Sequence, residues 1–297
     1  MHFCMDWNFY ASFREVMRQG SLSAAARTLG LTQPTLGRHV AALEAELGVA
    51  LFTRSPQGLT PTSAAADLLP RVEEMHAAAQ AAARAVSGGP ANETGVVRIT
   101  ASEIVGGVVL PPILATFREA HPGIIVELVL TNRNEDLLRR DADIAVRMVR
   151  PAQAALIARR IGAVAIGLFA HRGYVEAHGL PTTVEEIANH PLIGFDRDEV
   201  SLRSLQDAAA FVHRDRFAFR CDSDLAQLAA LRAGYGLGGC QLGIAAAEPD
   251  LIPVLPDQVR FELEMWLAMH EDLKPVGRVR TMYDFLAAEL GLYARRR

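Results

Sequence analysis

"LTQPTLGRHVAALEAELGVALFTRS" occupies residues 31–55 and sets one proline and one glycine inside a run that otherwise reads as a single helix. Thr32 suits the N-cap, and Pro34 falls in the first turn, where a missing backbone donor costs little. Leu36, Val40, Leu43 and Leu47 recur at i, i+4, i+7 and i+11 and make one buried stripe. At about 100° per residue, Arg38 lies opposite that stripe, with Pro34, Thr35, Ala41 and Ala42 around it. A solvated helix face carries several Glu and Lys; this one carries small residues, short polar groups and one arginine. A face that enters the major groove of duplex DNA needs low bulk, with donors and acceptors toward its N-terminus. Gln33 can pair with adenine, Arg38 with guanine or a phosphate, and Thr35 with a thymine methyl or a phosphate. The alternative is an ordinary three-helix packing unit with a sparse exposed face.

The flanks repeat the helical pattern. "DWNFYASFREVMRQG" (6–20) places Phe9, Phe13 and Val16 on one face and ends at Gly20. In "SLSAAARTLG" (21–30), Ser21 or Ser23 can cap, Leu22, Ala25, Ala26 and Leu29 form an apolar stripe, and Gly30 closes the helix. "ALFTRSPQGLTPT" (50–62) reads as a strand, a Pro-Gln-Gly turn and a second strand. Arg54 sits at the edge of this hairpin, where it can follow the DNA backbone or enter the minor groove.

The run "GSLSAAARTLGLTQPTLGRHVAALEAELGVALFTRSPQGLTPTSAA" (20–65) closely resembles the winged helix-turn-helix of LysR-type transcriptional regulators. The triple alanine, Gln-Pro, Arg38, "LEAELGVALF" and "LTPT" all fall in that family's register. Gly37 departs from it, because family members commonly carry Ser there. The glycine removes a hydroxyl and weakens the helix by roughly 1 kcal/mol. The DNA-contacting set is therefore Thr32, Gln33, Pro34, Thr35, Arg38 and Arg54, with double-stranded promoter DNA as partner.

Residues 63–86, "SAAADLLPRVEEMHAAAQAAARAV", are alanine-rich and helical, with Leu68, Val72, Met75, Ala79, Ala82 and Val86 on a heptad seam. Pro70 should kink this helix or start its second part. The resemblance implies that this linker helix, 63–87, forms a homodimer and that two dimers make a homotetramer, with activation commoner than repression. Packing of the helix on its own domain is the alternative. "SGGPANETG" then supplies a hinge over 88–94.

From Gly95 strands and helices alternate: "GVVRITAS", a helix near 106–120, "IIVELVLT", a helix near 134–140, "ADIAVRM", then "AVAIGLFAHRGYVEAHG" with strands near 192–195, 217–221 and 236–240. "LEMWLAMHED" and the helix "VRTMYDFLAAEL" close the chain. The fold class is thus α/β behind an N-terminal winged helix-turn-helix. The resemblance here implies the two-lobed effector domain of LysR regulators, similar to type II periplasmic solute-binding proteins. Lobe I covers about 95–163 and 268–297, lobe II about 164–267, and the last helix returns to lobe I. A cleft between such lobes takes a small molecule, and helix N-termini in it favour an anion. Its candidate contacts lie at strand ends: Ser102, Glu103, Thr131, Asn132 and Arg147 from one lobe, Phe195, Asp196, Asp222, Ser223 and Gln241 from the other. Each of them can equally be a cap or turn residue. Arg147 has a ligand carboxylate, Glu103 or Asp143 as rival partners.

The remaining features exclude more than they add. The net charge of −4 divides unevenly: seven arginines and seven acids balance in residues 1–90, so the deficit lies beyond them. DNA binding must rest on placed groups and dimerisation rather than bulk charge. Three cysteines, Cys4, Cys221 and Cys240, form no C-x-x-C pair and fit a reducing cytoplasm. No export signal, membrane-spanning run, metal-ligand spacing or nucleophile elbow is present, so no catalytic residue, metal or cofactor is expected, and neither is a membrane partner. "GYGLGG" (234–239) spells G-x-G-x-x-G but follows a helix, and its glycines read as a helix end turning into a strand. Cys221 and Cys240 read as packing residues, with a thiol-based redox switch as the alternative. A solute-binding protein or enzyme on the same two-lobed fold leaves the first ninety residues unexplained, and a structural nucleoid-type binder leaves the cleft unexplained. The reading that covers all segments is a regulator with a small-molecule effector and RNA polymerase as a further partner.

Overall fold

The computed structural model describes residues 6–55, 58–86, 94–132, 142–151, 156–198 and 213–296. The chain forms two compact units, the first ending at Ala83 and the second running from Arg84.

In the first unit, α1 (Trp7–Gln19), α2 (Leu22–Thr28) and α3 (Gln33–Leu47) precede a hairpin of β1 (Phe52–Ser55) and β2 (Gly58–Pro61), then α4 (Ser63–Val86). Gly20 and Gly48 end α1 and α3 with φ of 65° and 69°, the left-handed conformation that glycine adopts without strain. Two apolar clusters hold the unit. Val16, Ala25, Ala26, Leu36 and Val40 seal the α1–α2–α3 junction, while Tyr10, Phe13, Leu43, Leu51, Ala65 and Val72 tie α1 and α3 to α4. Leu29 departs from the expected stripe and is exposed. The reason is length: α2 stops at Thr28, so Leu29 occupies the C-cap and turns away from the core.

Polar contacts lock the same packing. The buried Ser12 hydroxyl lies 2.8 Å from His39 Nδ1, joining α1 to α3. Glu44 Oε1 accepts from the backbone N–H of Leu51 and Phe52 at 2.7 and 3.1 Å, so a carboxylate on α3 fixes where the hairpin begins. Thr62 closes it by donating to Ala50 O at 2.8 Å and accepting from Ala65 N. In α4 the seam divides. Leu68, Val72 and Met75 pack into the unit's own core, whereas Ala79 and Ala82 are exposed. α4 continues through Pro70 as one helix.

Among its described residues the second unit forms a nine-stranded sheet in the order β4-β3-β5-β11-β6-β9-β7-β8, with β10 also on β6. The strands are β3 (Gly95–Ala101), β4 (Ile124–Leu130), β5 (Ile144–Arg147), β6 (Leu156–His171), β7 (Leu192–Gly194), β8 (Phe217–Arg220), β9 (Leu237–Gln241), β10 (Leu251–Val254) and β11 (Arg260–His270). β3 is parallel to β4 and β5 at one end, and β7 is parallel to β8 and β9 at the other. The long antiparallel pair β6–β11 joins the two halves, with a register shift between Met265 and Trp266. That pair makes two lobes out of one sheet.

Around it lie α5 (Leu110–Ala120), α6 (Arg172–His178), α7 (Asp224–Arg232), the short α8 (Leu242–Ala245) and α9 (Gly277–Ala294). α9 packs back on the first strand of this unit: buried Arg278 donates from Nε to Val96 O at 2.9 Å. The helix expected near 106–120 begins sooner, because Glu103 and Ile104 lead through a π turn, Val105–Val109, into α5. Gly234, with φ of 73°, ends the turn after α7 and leads into β9, as the glycine run suggested. The helix expected near 134–140, Cys4 and residues 88–93 of the hinge lie outside the described residues. No described helix is long and apolar enough to cross a membrane.

Candidate functional site

The exposed face of α3 begins at its cap. Thr32 has extended backbone, its Oγ1 accepts from Thr35 N at 3.4 Å and lies 2.9 Å from Thr35 Oγ1. Arg38 Nη2 donates to Thr35 Oγ1 at 3.4 Å. The three side chains thus form a hydrogen-bonded line along the first two turns. Thr32, Gln33, Pro34 and Arg38 are exposed, as is Ala41, while Leu36 and Leu43 are fully buried on the reverse side. Gln33 is also oriented: Ser23 donates to its Oε1 at 2.9 Å, which leaves the amide N–H groups outward. By spacing alone Ser23 is only a candidate cap. It points to Gln33, while Ser21 holds the N-cap position without a side-chain bond.

Charge separates Arg38 from its neighbours. Arg14 pairs with Glu73 at 2.7 Å and Arg18 with Glu15 at 3.5 Å, whereas Arg38 has no carboxylate partner among the described residues. A guanidinium on a lean helix face, with most of its donors unused, suits a guanine edge or a phosphate. Gly37 is half-buried on this helix, and a Cβ there would meet nothing within 4 Å, so the missing serine reflects no steric demand of the unit. Arg54 lies on β1 opposite Leu59, its side chain outside the described residues.

In the second unit, the ends of β3 and β4 face the start of α7. Ser223 caps α7, accepting from Ala226 N, and its hydroxyl donates to Glu103 Oε2 at 2.6 Å. Asn132 makes two bonds: its Oδ1 accepts from Glu103 N at 2.9 Å, and its Nδ2 donates to Asp224 Oδ2 at 3.0 Å. Two side-chain bonds therefore cross from one lobe to the other. Gly107, in the π turn, completes the approach, because a Cβ there would stand 2.8 Å from Leu225 Cδ2. Behind them, the Ser102 hydroxyl is buried and finds no hydrogen-bond partner among the described residues. Such a group is costly to leave unmet unless something else supplies its partner.

Arg147 ends β5, fully buried, with Nη2 donating to Thr100 Oγ1 at 2.9 Å and Nη1 to Val146 O at 3.0 Å. Thr131 is half-buried, its N–H on Ala101 O. Phe195 is half-buried against the lobe II core of Tyr174, Ile187, Phe217 and Leu237. Two expected contacts are already engaged elsewhere. The Asp196 carboxylate takes Arg214, and the buried Gln241 Oε1 accepts from Tyr293 OH at 2.6 Å, facing α9 rather than the lobe junction. Asp222 accepts from the N–H groups of Asp196, Arg197 and Asp198; burial works to raise its pKa, but these bonds outweigh it and hold the carboxyl below the usual range.

Asp224 was not singled out from sequence, since an acid after a Ser cap reads as ordinary helix-dipole pairing. Burial pushes its pKa up, the Asn132 bond opposes this, and the negative charges of Glu103 and Asp198 raise it further. The junction is acidic. Among the cysteines, Cys240 is buried and its thiol is pushed up to about 12, chiefly by burial, so it is no ready thiolate at neutral pH. Cys221 and Cys240 are both free thiols. No group of three or more metal-ligating side chains occurs among the described residues.

Comparison with known proteins agrees with this division. Residues 7–66 match the family described as "Bacterial regulatory helix-turn-helix protein, lysR family", and residues 90–291 match "LysR substrate binding domain". The HTH-type transcriptional regulator CrgA of Neisseria meningitidis serogroup C is 29% identical, covering 94% of this chain and 95% of that one. The solved structure of CrgA, a LysR-type transcriptional regulator from Neisseria meningitidis, aligns with a TM-score of 0.59 at 27% identity, over 97% of this chain and 99% of the other. A structure of full-length CbnR complexed with its target DNA aligns with a TM-score of 0.52 at 20% identity, over 96% and 99% of the two chains, and supports the fold alone.

Proposed function

The chain belongs to the LysR family of transcriptional regulators, and from that premise we propose that it reads promoter DNA with the N-terminal end of α3 and responds to a small molecule held between its lobes. Residues 1–62 serve as the reading head, 63–87 as the dimerisation helix, 88–94 as a hinge and 95–297 as the effector domain. Gln33, Thr35 and Arg38 contact base edges in the major groove, Thr32 and Pro34 set the helix against the backbone, and Arg54 extends the contact from the hairpin. The exposed Ala79 and Ala82 continue the seam of α4 and suit close contact with a second copy. A homodimer through α4, and a pair of dimers, then present paired reading heads to the DNA in the cytoplasm.

The observation that carries the effector reading is the lobe junction itself. Glu103–Ser223 and Asn132–Asp224 bridge it directly, with the unmet Ser102 hydroxyl buried behind them. A ligand that supplies a partner to Ser102 and replaces the two bridges favours one arrangement of the lobes over another. Ser102, Glu103, Thr131, Asn132, Arg147, Phe195 and Ser223 form its contact set, with Asp196 and Gln241 bracing the neighbouring segments. The negative charges of Glu103 and Asp198 both bear on the Asp224 carboxyl, so the junction is acidic. An effector with N–H or O–H donors fits there better than the anion expected from helix N-termini. The lobe arrangement biases the spacing of the heads, and so the bending of the promoter or its contact with RNA polymerase.

Calorimetry of the full-length protein against a metabolite panel, paired with footprinting on the gene's own upstream region, tests this. The expected result is a saturable ligand whose addition changes the footprint and whose binding is lost in Ser102→Ala. A footprint with no metabolite response, or binding unaffected by Ser102→Ala, contradicts the effector reading.

A further inference from the structure

Lobe II carries a recess that the lobe junction does not use. It is lined by Tyr174 and His178 of α6, by Asn189, His190 and Pro191 before β7, and by Gly234 and Tyr235 after α7, and is a solvent-open hollow of about 320 Å³. That volume is at the lower end of small-molecule sites, which span roughly 300–1,000 Å³. Helix α7 presents Ser223 and Asp224 at its start and runs into Gly234 and Tyr235 at its end, so junction and recess occupy opposite ends of one helix.

The two tyrosines are fixed before any ligand arrives. Tyr174 is buried, its hydroxyl lies 2.8 Å from His190 Nδ1, and its ring sits 4.7 Å from the His178 ring and 5.9 Å from that of His190. Tyr235 is 46% exposed, yet its hydroxyl donates to Ala218 O at 3.1 Å and Phe219 meets it edge-on at 5.3 Å. A side chain that exposed and still held at both ring and hydroxyl presents a preset aromatic face. Gly234 turns the chain at the floor with a φ of 73°, which favours glycine; a Cβ there would make only ordinary contact with Tyr174, at 3.7 Å.

The polar rim is unused. The Asn189 amide and the His178 imidazole make no hydrogen bond among the described residues, and His190 is engaged through Nδ1. An amide and imidazoles offer donors and acceptors together, which matches a ring whose edge carries both. Among the described residues no arginine or lysine lines the recess, so they offer a phosphate or carboxylate no fixed countercharge there. We propose that this recess is a second ligand site, separate from the lobe junction, for an uncharged planar nitrogen heterocycle of the nucleobase or aromatic-amide class. The ring stacks on Tyr235, and its edge meets Asn189, His178 and His190.

The test uses the full-length protein and follows the imidazole NMR resonances of His178 and His190 during titration with nicotinamide, adenine and cyclohexanecarboxamide. Nicotinamide or adenine should shift both histidines saturably, and the saturated carboxamide should not. Tyr235→Ala should weaken the heterocycle by about tenfold or more, and Asn189→Ala, at an exposed position outside the core, by a smaller factor. Three outcomes would overturn the site: no saturable shift with either heterocycle, equal binding of the saturated carboxamide, or unchanged affinity in both variants. Should Tyr235→Ala disturb the fold, Asn189→Ala decides alone.

Discussion

Thr32, Thr35 and Arg38 stand on neighbouring turns of one helix, and a single cap and a single leucine stripe put them on the surface. Glu103, Asn132, Ser223 and Asp224 come from three separate segments and meet only after a nine-stranded sheet has formed. The reading face is therefore a local property of the sequence, while the lobe junction is a property of topology. The two regions should respond differently to mutation: the face through its own helix, the junction through the distance between lobes.

The largest expected effect lies behind the reading face. Leu43 is fully buried between α1, α3 and α4, so Leu43→Ala should destabilise the first unit by about 2–5 kcal/mol. Denaturant unfolding followed separately for the two units checks it; equal loss in both would mean they are one cooperative body. Next, Ser223→Ala removes both the cap of α7 and the bond to Glu103 and should cost about 1 kcal/mol. Small-angle scattering should also show a wider second unit, and an unchanged profile would mean the bridges do not hold the lobes.

Gly37→Ala sharpens the contrast in the opposite direction. Its Cβ enters open space, so the head should gain roughly 1 kcal/mol, read as a higher unfolding midpoint. A loss would point to a contact at residue 37 made outside this chain. The smallest effect concerns Asp224, whose pKa is raised in the folded protein by burial and by neighbouring acids. Folded protein therefore holds that proton more tightly than unfolded protein does, and stability falls as pH rises from the ordinary carboxylate range through the raised value. Asp224→Asn should raise the thermal midpoint at neutral pH, with the gain fading in acid, where the wild-type group is already neutral. A gain that persists unchanged at low pH would remove charge as its cause.

The same contrast explains what was legible beforehand. Thr32, Leu36, Arg38 and Gly20 follow from short-range spacing, and so do the strand ends that carry Ser102 and Ser223. Asp224 escaped notice because its partner Asn132 lies in the other lobe and no local pattern joins them. Asp196 and Gln241 looked like cleft residues by position, but Arg214 and Tyr293, each remote or irregularly placed in the chain, had already engaged them. Leu29 was misplaced for a geometric reason, the early end of α2. The α4 seam read as one continuous surface, yet its first half serves the head's own core.

The most direct test of the whole account is a pair of affinities for Arg38→Ala: one for the footprinted upstream duplex, one for a scrambled duplex at the same salt. The account predicts a loss of about 1–3 kcal/mol for the specific site and a much smaller loss for the scrambled one. Equal affinity of variant and parent for the specific duplex would mean that some other surface reads the DNA.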